Sequence, residues 1–201
     1  MAGRWRAAMF ILVVFCATVS GAPYPGGGNV NHQYNFVQFF NPPELIWTYR
    51  SSWNGDFTCE RAIMKNISGR TVELETKFTL NKKKYKHTAK GTLYNVWGQN
   101  SPLNRMTMRD YWQDTLNKEI VYASSDYKCA VLYVERYHGW PPVTFDLLVK
   151  KSQLDNGPSA DCMDKYNEEI SARRIGDTNR TVYTPECRKR KNASNVHQLA
   201  H

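Results

Sequence analysis

No two cysteines in this chain stand two residues apart, no His-Glu-x-x-His run occurs, and no glycine-rich phosphate loop is present. These absences argue in turn against a zinc ribbon, a helical zinc hydrolase and a P-loop nucleotide site. The five histidines add no chemistry of their own. His32, His197 and His201 lie near the termini, His87 sits in a lysine-rich stretch and His138 in a loop, none beside a nucleophile motif. The chain therefore reads as a binder, not an enzyme, with no metal and no cofactor expected. Long apolar runs are also scarce. The only one, residues 7–19, is short of the roughly 20 apolar residues that span a bilayer. Arg4 and Arg6 precede it, and Val19, Ser20, Gly21 and Ala22 end it, which is the pattern of a secretory signal. Cleavage after Gly21 is expected, since one residue later would place Pro23 beside the cut. No segment alternates strand with helix, which argues against a parallel α/β fold, and no internal repeat is found.

The signal carries Cys16 away and leaves Cys59, Cys129, Cys162 and Cys187. An even count in a secreted chain implies two disulfides, with three connectivities open. The remaining stretch of about 180 residues suits one domain. The chain carries a formal charge of +9, of which Arg4 and Arg6 leave with the signal. Basic residues gather at Lys82-Lys83-Lys84 and at Arg188-Lys189-Arg190-Lys191. Neither run is interleaved with aromatic residues as nucleic-acid grooves are. They read as a solvated hairpin tip and a basic tail over 188–201, and no nucleic-acid partner is expected.

What is there is mostly β. Residues 22–44 form an arm, with a short helix over 30–40 that Asn41-Pro42-Pro43 stops. Strands are expected over 45–50, with Trp47 and Tyr49 on one face, then over 57–64, 71–80 and 85–96. The third has the clearest pattern: Val72, Leu74, Thr76, Phe78 and Leu80 alternate with Thr71, Glu73, Glu75, Lys77 and Thr79. That spacing means one dry face and one wet face. Gly91 marks a bulge or corner. A hairpin is expected over 105–112 and 119–124, and another over 129–135 and 143–149, with Gly139, Pro141 and Pro142 at its turn. A helix begins at Pro158 and ends at Gly176. Cys162, Tyr166 and Ile170 share its inner face, while Asp164, Lys165, Glu168 and Glu169 face water. Cys129 on the hairpin and Cys162 on the helix suggest a helix stapled to the sheet. An extended tail is expected over 181–187. About eight closely spaced strands favour an up-and-down barrel or a sandwich. Asn66-Ile67-Ser68, Asn179-Arg180-Thr181 and Asn192-Ala193-Ser194 are glycosylation acceptors, with Asn66 favoured in its turn; Pro102 cancels the potential of Asn100.

Several stretches together resemble one family. They are Ile46-Trp47-Thr48-Tyr49, Asp56-Phe57-Thr58-Cys59, Ser125-Asp126-Tyr127-Lys128-Cys129, Phe145-Asp146-Leu147-Leu148-Val149 and Tyr183-Thr184-Pro185-Glu186-Cys187. In order and spacing, with the four cysteines, they are similar to the salivary lipocalins of ticks, the histamine-binding type. The resemblance covers residues 45–187. It implies an eight-stranded antiparallel barrel with a C-terminal helix packed outside, and the pairs Cys59–Cys187 and Cys129–Cys162. With Cys129 pointing out to the helix, Ala130, Leu132 and Val134 point into the lumen.

Members of this family sequester small host mediators such as histamine, serotonin or leukotrienes. The resemblance thus implies a secreted salivary carrier that binds a small molecule, and a monomer is expected. The family's amine binders show Cys-Asp-Val on one strand and Glu-Leu-Trp or Glu-Leu-Tyr on the next. Here those positions read Cys129-Ala130-Val131 and Asp146-Leu147-Leu148. Only Asp146 matches as an acid, so a largely apolar lumen is expected, suited to a lipid mediator at least as well as to an amine. Expected ligand contacts are Asp146, Leu148, Ala130, Leu132, Trp47, Tyr49 and Trp112. The alternative is a surface-acting inhibitor of a host protein of complement, clotting or immune signalling, which the basic runs and the lost acids would suit.

Overall fold

The structure, a computed structural model, describes residues 34–95, 101–138, 141–173, 178–189 and 196–198. The signal at 1–21, most of the arm, the helix stop at Gly176 and the acceptor Asn192 lie outside the described residues.

The chain enters through helix α1 (Phe36–Phe40). Asn35 caps it, its side chain accepting from the Val37 N–H at 2.8 Å. Eight strands follow: β1 (Ile46–Ser51), β2 (Phe57–Ser68), β3 (Thr71–Leu80), β4 (Lys83–Tyr94), β5 (Arg105–Arg109), β6 (Thr115–Ala123), β7 (Cys129–Arg136) and β8 (Val143–Lys150). Each pairs antiparallel with its sequence neighbour, and β1 also pairs with β8. All eight therefore close into one antiparallel barrel. Helix α2 (Ala160–Arg173), strand β9 (Arg180–Thr181), helix α3 (Glu186–Lys189) and strand β10 (Val196–Gln198) complete the order. β9 pairs with β1, and β10 lies parallel to β4.

Local chemistry accounts for most boundaries. β3 and β4 stay in unbroken register from Thr71↔Thr92 to Leu80↔Lys83. Asn81 and Lys82 form the tip, with φ of 50° and 65°. Two left-handed residues match the twist of the strands they join. The lysine run expected as a turn is thus mostly strand, since Lys83 and Lys84 belong to β4. Gly91 makes no bulge against β3. A Cβ there would lie 2.9 Å from Met106 Sδ and 3.2 Å from Val72 Cγ1, so glycine lets β4 close against its neighbours.

Two apolar layers form, one on each face of the sheet. The inner layer fills the barrel with Val72, Leu74, Leu93, Met106, Ile120, Ala130, Leu132 and Val134, capped by Phe36, Phe39 and Phe40 of α1. The outer layer packs Val131, Phe145, Leu147 and Val149 against Cys162 and Tyr166 of α2. Both of those helix residues are fully buried. Two disulfides cross this outer layer. Cys129–Cys162 joins β7 to α2 with a Cα separation of 6.4 Å, and Cys59–Cys187 joins β2 to α3 at 5.3 Å. Cation–π contacts with Tyr133 and Phe145, at 5.4 and 5.1 Å, tie Arg173 at the end of α2 to the same wall.

Candidate ligand site in the barrel lumen

The lumen has two compartments that share Glu60, Thr76, Met108, Lys118 and Asp146 at its waist. Their empty volumes are about 560 and 520 Å³, openings included. The first is aromatic, walled by Trp53, Phe57, Phe78, Tyr111 and Trp112. Asp110 builds its rim. One carboxylate oxygen of Asp110 accepts from the Trp112 N–H at 2.8 Å and the Asp114 N–H at 3.0 Å, which folds the β5–β6 turn. That turn sets the Tyr111 ring 5.2 Å from Phe78, and Trp112 5.6 Å from Trp53, both edge-on. The Arg136 guanidinium lies 4.0 Å from the Trp53 ring centre and 3.5 Å from Asp110 Oδ2.

The second compartment is apolar. α1 supplies Phe36, Phe39 and Phe40, and the strands supply Ile46, Leu74, Met106, Leu132 and Leu148. The Phe36 N–H donates to the Leu103 carbonyl at 2.9 Å, which seats the helix over this end.

Two carboxylates meet at the waist, each held by a hydroxyl of β1. Thr48 donates to Glu60 Oε2 and Ser51 donates to Asp146 Oδ1, both at 2.6 Å. Burial pushes the Glu60 carboxyl up, and the nearby Asp146 pushes it further. The Glu60 side chain is half-buried and opens onto the lumen. Lys118 moderates the shift from across the waist. With Glu60 ionised, Glu60, Asp146 and Asp110 against Lys118 and Arg136 leave the lining one negative charge in excess; with Glu60 protonated the lining is neutral.

Of the residues expected to touch a ligand, Asp146 lines both compartments, Leu132 and Leu148 line the apolar one, and Trp112 lines the aromatic one, 49% exposed at its rim. Ala130 lies fully buried in the inner layer without lining either space. Trp47 and Tyr49 are corrected. They share one face of β1, but it is the outer one, where Tyr183 covers them at ring distances of 5.0 and 5.9 Å. Alternation separates the two faces of a strand without saying which is inside, and here the outside is as apolar as the inside.

The expectation of a nearly acid-free lumen is also corrected, by Glu60 and Asp110. Strict alternation from the inward Phe57 would turn Glu60 outward. Cys59, with φ of 56°, breaks the phase, and the β2–β3 register shifts between Thr58 and Arg61. Trp53, Phe78 and Tyr111 were legible as apolar residues, but only the closed barrel gathers them on one compartment. Asn66 and Asn179 are both exposed. Among the described residues, no three His, Cys, Asp or Glu side chains are grouped to hold a metal. None of the described helices is long and apolar enough to cross a membrane.

No curated protein matches the chain. Among solved structures, insecticyanin from the tobacco hornworm Manduca sexta is similar in fold, with a TM-score of 0.52 and 14% identity over 82% of this chain and 88% of that one. The bovine lipocalin allergen Bos d 2 is similar with a TM-score of 0.52 and 13% identity, covering 76% of this chain and 96% of that one. The siderocalin Ex-FABP, described as having dual ligand specificities, gives 0.50 and 12%, over 67% and 88%. At such identities they speak for the lipocalin barrel alone. The sequence profile described as tick histamine binding protein matches residues 37–189. With three quarters of its length so matched and a closed barrel around a lined lumen, the chain belongs to the tick histamine-binding protein family.

Proposed function

We propose that this protein is a secreted salivary carrier that sequesters a small cationic host mediator, an amine such as histamine or serotonin, in the aromatic compartment of its barrel. One observation carries the reading. Glu60 and Asp146 meet at the floor of a chamber walled by five aromatic residues, and the lining gains one negative charge in excess when Glu60 gives up its proton. An ammonium ion offsets the cost of burying a carboxylate, and ring faces add cation–π attraction. Two disulfides fit the oxidising route of a secreted chain. Use of the exposed acceptor Asn66 belongs to the same reading, and glycosidase treatment of protein from a eukaryotic host should lower its mass.

A second reading rests on the apolar compartment. Phe36, Phe39, Phe40, Met106, Leu132 and Leu148 suit an alkyl chain, with Lys118 at the waist for an acidic head group. Calorimetric titration of histamine, serotonin, a leukotriene and a long-chain fatty acid separates the two. Amine binding with release of a proton from Glu60 supports the first. Lipid binding without amine binding supports the second. Binding of neither moves the function to the protein surface.

A further inference from the structure

The charge of this chain is gathered on one wall. Of the formal +9, six come from residues 57–94, which hold nine Lys and Arg against three acids. One of those acids, Glu60, faces the lumen. On the outside of β2, β3 and β4, only Glu73 and Glu75 oppose the cations. Lys77 and Lys86 stand opposite each other in register, an arrangement that costs stability unless bridged. Glu75 bridges them at 2.8 and 3.1 Å, and its hydrogen bond to Lys77 is the main reason its carboxyl is pulled down to about 2. Lys65, Arg70, Lys82, Lys83 and Lys90 remain exposed around that pair. The opposite wall has the other balance: α2, packed on β7 and β8, carries Asp161, Asp164, Glu168 and Glu169 against Lys165 and Arg173.

We infer that the outer face of β2–β4 is a docking surface for an extended sulfated polysaccharide of the extracellular matrix. The geometry suits a linear polyanion. Outward side chains on one strand repeat about every 7 Å, neighbouring strands lie about 4.8 Å apart, and Lys90 to Lys82 spans about 25 Å. From Lys84 to Thr92 the outward positions of β4 are Lys84, Lys86, Thr88, Lys90 and Thr92, with no aromatic ring for a nucleic-acid base to stack on. Those positions also lack the apolar side chains by which a membrane-surface element inserts. A basic wall gives no advantage in capturing a cationic amine, so the lumen does not account for it. A carrier docked on matrix polyanions would be held where its ligand is released.

The test uses the full chain and heparin as the probe. Wild-type protein should be retained at 0.15 M salt, with a log–log dependence of affinity on salt set by the number of sulfate contacts. Lys82→Gln/Lys90→Gln should lower that slope by about 1.5, at about 0.7–0.9 per contact. Lys128→Gln/Lys151→Gln, which removes the same charge from exposed sites at the far wall, should leave it unchanged. Circular dichroism melts verify that both variants fold. Equal losses in the two variants, no retention at 0.15 M salt, or binding to anionic vesicles but not to heparin would each overturn the inference.

Discussion

Ser51 and Asp146 face each other in register across β1 and β8, and the serine hydroxyl donates to Asp146 Oδ1 at 2.6 Å. The same hydroxyl accepts from the Trp53 N–H at 3.1 Å. One buried serine thus ties the waist carboxylate to the first residue of the aromatic wall. An acid in a lumen needs such a donor, because a buried carboxylate without partners is costly.

Asp146→Asn should therefore weaken a cationic amine by roughly 2–5 kcal/mol, the loss typical of a desolvated charge pair. Ser51→Ala keeps the charge but removes its donor, and should lower stability by about 1.5–3 kcal/mol with a smaller loss of affinity. Calorimetry and thermal melts read the two effects. Amine affinity unchanged in Asp146→Asn would remove this residue from the site.

Glu60 makes the lumen sensitive to pH. Burial and Asp146 raise its carboxyl in the folded state, so the folded protein holds a proton that the unfolded chain releases near the ordinary glutamate value of about 4.3. That contribution to stability is complete below the unfolded value and is lost as pH rises through the raised folded one. Glu60→Gln should abolish this loss. The variant's melting temperature relative to wild type should climb as pH rises from 4 to 8, and a flat difference would show that Glu60 is not strained. Binding of an amine should tighten over the same interval, because the ligand favours the ionised carboxylate.

The disulfides separate stability from binding. Cys129 and Cys162 are 33 residues apart, and Cys59 and Cys187 are 128 apart. Loop-closure arithmetic gives about 4 and about 5 kcal/mol respectively. Both bonds lie in the outer layer. Replacing Cys129 and Cys162 with serine should thus lower the melting temperature markedly while the folded fraction binds ligand with unchanged affinity. A loss of affinity in protein shown to be folded would mean that α2 shapes the lumen.

Much of this architecture was legible from spacing. The alternation of 71–80 placed β3 at its observed bounds, and Cys162, Tyr166 and Ile170 marked the inner face of α2. The failures have two physical origins. Alternation carries phase only while a strand stays regular, and Cys59, at positive φ, resets the phase of β2 so that Glu60 turns inward. The second limit is the double-layered wall. With Leu147 and Val149 buried outside as fully as Ala130 and Val134 are inside, hydrophobicity no longer tells the lumen from the outer layer.

Trp47 and Trp112 put that limit to a direct test. Trp47 is 4% exposed in the outer layer, edge-on to Tyr183 and 5.1 Å from the Arg61 guanidinium. Trp112 is 49% exposed at the rim of the aromatic compartment. Truncating a buried tryptophan costs about 3–5 kcal/mol, so Trp47→Ala should lower stability by that order, and the milder Trp47→Phe keeps enough of the ring to assay binding. Ligand affinity should be unchanged in Trp47→Phe, because the residue lies on the wrong side of the sheet. Trp112→Ala removes a side chain that is only half covered and should lower the melting temperature far less than Trp47→Ala. It deletes one ring of the cage and should weaken an amine by about 0.5–2 kcal/mol, the range of a cation–π contact from exposed to desolvated. Denaturant titration and calorimetry on both variants should thus give opposite patterns, stability lost in one and affinity in the other. Affinity lost in Trp47→Phe with Trp112→Ala silent would place the ligand outside the lumen, between the barrel and its C-terminal tail.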